Sequence, residues 1–218
     1  MTMIRPGGDI LTKKAIDLAK LPAGARILDV GCGSGETVAL LTEQYGFMAT
    51  GVDVSNELIK KGRDQYEGLD LRCMEAEFLE YESKTFDAVL MECGLSVFRL
   101  QEDAVFEAYC ILKSGGKLIV TDLFRKNEKS SSVMFDGAFV FDELTRMIED
   151  IGFKIEYFEE VENALTNFVA QAIMSHGSLE EYFKSVVPED DDPSKFCACS
   201  ALKDPKNLSY FLMIVTKP

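Results

Sequence analysis

From residue 26 to about 160, short runs of β-branched and aliphatic residues alternate with longer stretches in which apolar positions return every three or four residues. That alternation predicts a parallel sheet covered by helices on both faces. The runs Arg26–Val30, Met48–Val52, Leu69–Cys73, Phe86–Met91 and Lys117–Thr121 predict the first five strands. Between them, Val38, Leu41 and Tyr45 recur at helical spacing, as do Val105, Ala108, Tyr109 and Leu112, and Ser55 stands where an N-cap opens another helix. Ahead of the first strand, Leu11, Ala15 and Leu18 mark a leading helix that Asp9 caps and Pro22 stops. Leu144, Met147, Ile148 and Ile151 predict a later helix, closed by Gly152 in the left-handed conformation. Phe153–Glu159 and Leu208–Thr216 read as a sixth and a seventh strand, the last antiparallel to the one before it. The expected fold class is α/β, a doubly wound, mostly parallel sheet of seven strands.

Roughly fifty residues separate the last two runs, far more than a hairpin needs, so a segment of about 160–207 is inserted there. It reads as partly helical. Leu165, Phe168, Val169 and Ala172 share one face, Leu179, Tyr182, Phe183 and Val186 another, and His176-Gly177 punctuates the two. Pro188 to Pro193 brackets an acidic run that reads as a solvated loop. No internal repeat is present, so residues 1–218 are expected to form a single domain with a helical lid over 1–22 and this insert.

Composition narrows the function. A mean hydropathy of +0.01 and a mass of 24.3 kDa fit a soluble domain that buries about 70% of its unfolded surface, enough for a core without disulfides. Lys and Arg number 23 against 37 Asp and Glu, a net charge of −14, which repels phosphate backbones and anionic lipid surfaces. Nucleic-acid and membrane partners are therefore not expected. No stretch has the length and apolarity of a transmembrane helix, and a cytoplasmic location is expected. Six dispersed cysteines predict reduced thiols. With one histidine and no Cys-x-x-Cys, no metal site is expected.

The strongest local signal is Ile27-Leu28-Asp29-Val30-Gly31-Cys32-Gly33-Ser34-Gly35-Glu36-Thr37, a strand running through a glycine loop into a helix. Glycine at alternate positions lets the backbone approach a ligand and permits positive φ. Dinucleotide folds carry a third glycine at the sixth position, where this chain has Glu36. A carboxylate in the first helical turn repels a pyrophosphate seated on the helix N-terminus. Asp29 adds a second acid facing the same crevice. Such a crevice suits a ligand with cationic groups and no phosphate, and S-adenosylmethionine carries a sulfonium and an ammonium. It also carries a ribose diol, and Asp53 ends the second strand about 20 residues beyond the loop, where related folds set a ribose-binding acid.

Residues 26–122 resemble the class I S-adenosylmethionine-dependent methyltransferases, most closely the group acting on quinones, sterols and arsenite. Asp29 to Gly35 resembles that family's first motif and Gly51-Val52-Asp53-Val54-Ser55 its second. Glu75-Ala76-Glu77 stands where the family commonly has Asp-Ala-Glu. Thr85 to Val89 is similar to its Ser-Phe-Asp-x-Val, and Leu112 to Leu118 resembles its Leu-Lys-Pro-Gly-Gly turn. The resemblance implies a Rossmann-like sheet. It implies that Asp29 and the backbone of Gly31 and Gly33 hold the methionine moiety, with Cys32 and Gly35 of the same loop also cofactor-binding, that Asp53 takes the ribose hydroxyls and that Val54 covers the adenine. Glu75 and Ala76, with Glu77 as the substitute acid, would meet the adenine edge, and Met91 would line the methionine half. Glu75 departs from the family's shorter Asp, and Ser114 from its frequent Pro.

Displacement from a sulfonium needs a held acceptor and excluded water, so a catalytic base is optional. Residues just beyond the fourth strand face the reacting methyl in doubly wound folds. Glu92 and Cys93 are therefore the candidate catalytic residues, although Cys93 also reads as a small buried hydrophobe. Phe168, Tyr182 and Phe183 are candidates to line an apolar acceptor pocket, with core packing the other reading. His176 reads as a surface or capping residue. Cys197-Ala198-Cys199 reads as strand-like core, with a soft metalloid site as the other reading. The expected activity is methyl transfer from S-adenosylmethionine to a small-molecule acceptor, with S-adenosylhomocysteine as product, by a monomer or homodimer. The competing readings are a non-catalytic sensor or accessory protein that binds the same cofactor, and an NAD-dependent oxidoreductase.

Overall fold

Strict alternation of side chains along the strands sets the architecture, because successive residues enter opposite layers. A computed structural model describes residues 5–125, 138–186 and 208–218. The elements in chain order are α1 (Gly8–Ala19), β1 (Arg26–Val30), α2 (Glu36–Tyr45), β2 (Met48–Asp53), α3 (Asn56–Gln65), β3 (Asp70–Cys73) and β4 (Phe86–Glu92). A 3₁₀ turn (Leu95–Val97), α4 (Gln101–Ile111), β5 (Leu112–Arg125), β6 (Phe139–Val140), α5 (Phe141–Ile151), β7 (Lys154–Glu160), α6 (Ala164–His176), α7 (Leu179–Val186) and β8 (Leu208–Thr216) follow.

The strand order is β3-β2-β1-β4-β5-β8-β7, and the two-residue β6 pairs with the end of β5. Strands β1 to β5 run parallel, and β8 lies antiparallel to both β5 and β7. This is the doubly wound, Rossmann-like sheet with an antiparallel last strand. Ile27, Leu90, Ile119, Leu212 and Ile214 face one layer, under Leu11, Ala15 and Ile16 of α1, Leu40 and Leu41 of α2, and Leu165 and Phe168 of α6. Leu28, Val89, Met91, Leu118 and Met213 face the other, under Val105 and Ala108 of α4 and Leu144 and Ile148 of α5.

Several local expectations change. Asp9 does not cap α1: Gly7 takes the N-cap position without a side-chain bond, and Asp9 pairs with Lys13 at 3.2 Å one turn later. Leu18 is 37% exposed, and Ile16 and Ala19 turn inward instead. β6 was not anticipated, because two residues are too few to show periodicity. β5 begins at Leu112 rather than Lys117. Leu112 pairs with Phe86, and the register shifts before Ala88 meets Lys117, so the Ser114-Gly115-Gly116 stretch is an irregular part of the strand. Ser55 does cap α3, its hydroxyl accepting from the Leu58 amide at 3.3 Å, and Gly152 closes α5 at φ 113°.

The acidic run Pro188–Pro193, Cys197 and Cys199 lie outside the described residues, as do the side chains of Phe183 and Val186. Cys32, Cys73, Cys93 and Cys110 are thiols without disulfides. Among the described residues, no helix is long and apolar enough to cross a membrane.

Candidate functional site

The carboxyl ends of β1, β2, β4 and β5 meet below the glycine loop and the start of α1. Gly31 and Cys32 both donate their amides to Val52 O, at 2.8 and 3.0 Å, which ties the loop to β2. Gly33 donates its amide to Asp53 Oδ2 at 2.8 Å, and Asp53 Oδ1 accepts from the Ser55 amide at 2.9 Å. Asp53 therefore shapes the loop as well as facing the crevice, and a carboxylate has lone pairs to spare for further donors.

Gly33 sits at φ 56°, and no heavy atom lies within 4 Å of where a Cβ would stand. Its backbone is open to a ligand on that side. Gly35 has the opposite constraint. At φ 83°, a Cβ there would lie 2.9 Å from both methyls of Leu71, so this glycine serves packing. Glu36 opens α2 and accepts from Ser34 Oγ at 2.9 Å, which keeps a carboxylate at the helix N-terminus where a phosphate would otherwise seat.

Two acids lie deeper. Asp29 is only 3% exposed, and its carboxyl is pushed up to about 8, first by burial and then by the charge of Glu92, with Arg5 pulling the other way. Glu92 is also buried. Its Oε2 lies 2.8 Å from Arg5 Nη2, Thr12 Oγ1 donates to Oε1 at 3.0 Å, and Thr37 Oγ1 donates to Oε2 at 3.3 Å. Arg5 donates to Thr12 as well. Burial opposes the Arg5 charge, but Glu92, Tyr210, Asp29 and Cys93 together outweigh it and hold its pKa above the ordinary value.

The wall beyond β4 is fastened to β5 at two points. The Cys93 amide donates to Thr121 O at 2.6 Å. Asp122, fully buried, accepts from the Ser96 amide at 2.8 Å, from Ser96 Oγ at 2.7 Å and from the Leu123 amide at 2.7 Å. Burial, and then Cys93, push the Asp122 carboxyl up to about 7 against those bonds.

The residues singled out in the sequence divide accordingly. Asp29, Gly31, Gly33, Asp53 and Glu92 meet in the crevice. Val54 is 70% exposed at the end of β2, and Glu75 is exposed just after β3, with Ala76 buried beside it. Four residues do other work. Cys32 turns its thiol into a small core with Val38, Ile59 and Leu71, and burial raises that thiol well above its usual pKa. Met91 points into the core opposite Glu92 because adjacent strand residues face opposite layers. Glu77 Oε1 accepts from the Leu100 amide at 2.9 Å, fastening the approach to α4. Cys93 is buried at φ 56° and packs with the core, which matches its reading as a small hydrophobe. Phe168 is core, Tyr182 meets it edge-on at 5.6 Å, and His176 is exposed at the end of α6.

Arg5, Thr12, Thr37, Ser96 and Asp122 were missed. Asp122 had a signal, an acid inside the apolar run Leu118–Phe124. Arg5, Thr12 and Thr37 had none, because only the fold brings them to Glu92.

Residues 28–120 match a protein family described as a methyltransferase domain. The match spans less than half of the chain. A demethylmenaquinone methyltransferase of Thermus thermophilus is 34% identical over 115 residues, which are 50% of this chain and 52% of that protein. The chain spans about half the length of the first curated relatives it matches, from 47% to 54%. Among solved structures, the [4+2]-cyclase SpnF superposes with a TM-score of 0.78 at 24% identity, covering 96% of this chain and 80% of its own. A Haemonchus contortus phosphoethanolamine N-methyltransferase 2, solved with S-adenosyl-L-methionine, gives 0.77 at 18%, covering 100% of this chain and 54% of its own. At these identities the structural likeness shows the fold alone.

Proposed function

We propose that this protein transfers a methyl group from S-adenosylmethionine to a small-molecule acceptor, leaving S-adenosylhomocysteine. The observation that carries this reading is the open Gly33 backbone, held by Asp53, above the two buried acids Asp29 and Glu92. The residues fit the cofactor. Gly31 and Gly33 offer backbone to its methionine half, with Cys32 and Gly35 shaping the loop from behind. Asp29 faces the ammonium and Asp53 the ribose diol. Val54 offers an exposed apolar surface to the adenine, and Glu75 with the Ala76 amide its edge. Glu77 and Met91 act from outside the site, through Leu100 and through the core.

When bound, the cofactor supplies a methyl already activated on a sulfonium, so the protein's work is to orient the acceptor and exclude water. Glu92 spends its oxygens on Arg5, Thr12 and Thr37 and serves as a structural carboxylate rather than a base. The Cys93–Phe98 wall, pinned by Asp122, bounds the acceptor side. Cys93 contributes volume there and no proton transfer.

The chain acts as one domain in which the N-terminal helix covers the site, through Arg5 and Thr12 against Glu92. A cytoplasmic monomer or homodimer, with no nucleic-acid or membrane partner, fits the net charge of −14. Incubation with cofactor labelled on the methyl group and a small-metabolite extract tests the activity. Label should pass into a low-mass product, and Gly33→Ala should abolish the transfer. Bound cofactor with no transfer to any extract would overturn the reading in favour of a sensor.

A further inference from the structure

The Cys93–Phe98 wall bounds the acceptor side, yet its last ring turns back toward the glycine loop. A Cβ at Gly31 would lie 3.5 Å from Phe98 Cε1 and Cζ, and one at Gly94 would lie 3.2 Å from Cζ and 3.3 Å from Cε1. The same edge of the ring is therefore seated between two glycines, one following β1 and one following β4. The turn that carries the ring is firmly held. Cys93 takes the chain off β4 at φ 56°, Ser96 gives its amide and its hydroxyl to Asp122, and the Ser96 carbonyl accepts from Gln101 Nε2 at 3.3 Å. The Phe98 amide donates to Gly94 O at 3.2 Å. Phe98 itself is half-buried, packed in part against the layer under α4, so a portion of a fixed aromatic ring is left open beside the exposed Gly31.

The charges of the crevice give that ring a use. Asp29 faces the ammonium of the proposed cofactor and Asp53 its ribose. Glu92 is neutralised by Arg5 and bonded by Thr12 and Thr37, and Glu36 accepts from Ser34 at the start of α2. The sulfonium belongs to the methionine half that Gly31 receives, and it is left without a carboxylate of its own. Like a quaternary ammonium, it has no hydrogen to donate, so the electron-rich face of an aromatic ring suits it better than a hydrogen-bond acceptor. We propose that Phe98 reads the charge of the methyl donor: its ring attracts the sulfonium of S-adenosylmethionine and not the neutral thioether of S-adenosylhomocysteine. In the transfer the acceptor's lone pair makes the new bond to the methyl carbon and the old carbon–sulfur pair stays on sulfur. The attraction therefore ends with the transfer, and the pocket favours donor over product. The inference rests on the methyltransferase reading.

Calorimetric titration of the full chain with S-adenosylmethionine and, separately, with S-adenosylhomocysteine reads the effect of the ring. Phe98→Leu, which keeps an apolar side chain, should weaken S-adenosylmethionine about 3- to 10-fold, the loss of one cation–ring contact, while S-adenosylhomocysteine stays within about twofold. Phe98→Tyr should retain the wild-type ratio of the two affinities, because the ring remains. Equal weakening of both ligands would make Phe98 a plain wall and overturn the inference. Unchanged or tighter binding of the donor by Phe98→Leu would place the ring away from the sulfur and overturn it too. Thermal unfolding checks that each variant is folded. If Phe98→Leu is not, replacement of Phe98 by mono- and trifluorinated phenylalanine keeps the shape and withdraws electron density from the ring face. Donor affinity should then fall stepwise with fluorination while product affinity holds, and a flat series, or a parallel fall of both, would overturn the inference. Failure of the wild type to bind either ligand would defeat the methyltransferase reading itself, a result distinct from all of these.

Discussion

Each of the two acids of the crevice answers to a different neighbour. Asp29, held near 8 by burial and by Glu92, is largely protonated at neutral pH and must lose its proton to pair with a cation. Affinity for S-adenosylhomocysteine should therefore rise from pH 6 to 8.5, and Asp29→Asn should flatten that dependence. Calorimetry across the range checks it, and an Asn variant with the wild-type slope would remove Asp29 from the cation site. Glu92 faces Arg5, and taking away its charge leaves a buried guanidinium uncompensated. Glu92→Gln should lower stability by about 3 kcal/mol in chemical denaturation, the usual penalty for breaking a buried pair. At this scale the structure brings Asp29, Asp53 and Gly33 to one crevice, as their positions at strand ends and in the loop suggested. The directions of Met91 and Cys32 are set by strand alternation and by packing, which no local motif displays.

Among the elements, the glycine loop separates two roles that the sequence shows as one motif. Gly33→Ala meets open space, so its cost in stability is about 1–2 kcal/mol from the left-handed backbone alone, yet its methyl projects where the ligand backbone contact forms. Gly35→Ala strikes Leu71 and should destabilise more, with Leu71→Ala recovering part of the loss in the double variant. Denaturation and nucleoside binding measured on both variants should show the first folded but unable to bind and the second poorly folded. If Gly33→Ala bound normally, its open face would not be the ligand's. The strands and helices were legible because each carries a clear period, from Val38 and Leu41 on α2 to the alternation of Tyr210 to Val215 on β8. β6 and the early start of β5 were not, because they arise from pairing with β5 and β4 rather than from any local pattern. The leading helix was found but rotated, since Gly7 in the left-handed region left Asp9 no capping role.

Over the whole molecule, the two raised carboxyls set the pH dependence of folding. Asp29 near 8 and Asp122 near 7 are neutral in the folded protein at pH values where an unfolded aspartate, at 3.8, is charged. The unfolded state therefore binds fewer protons, so the stability these groups contribute is complete below about pH 4 and is lost as pH rises through 7 and 8. Between pH 5.5 and 8 stability should fall, by at most about 1.4 kcal/mol per pH unit for each group. Asp29→Asn and Asp122→Asn should flatten the curve, and thermal midpoints across that range would contradict the assignment if they rose. A net charge of −14 adds self-repulsion, so moderate salt should raise the midpoint.

The fold's central demand is a crevice that takes a cation-bearing nucleoside and refuses a diphosphate, with the Glu36 carboxylate at the start of α2 setting that preference. Titration of the full chain with S-adenosylhomocysteine and, separately, with NADH tests it most directly. One-to-one saturable binding of the first, lost in Gly33→Ala, and no binding of the second are predicted. Saturable binding of NADH, or none of S-adenosylhomocysteine, would contradict it.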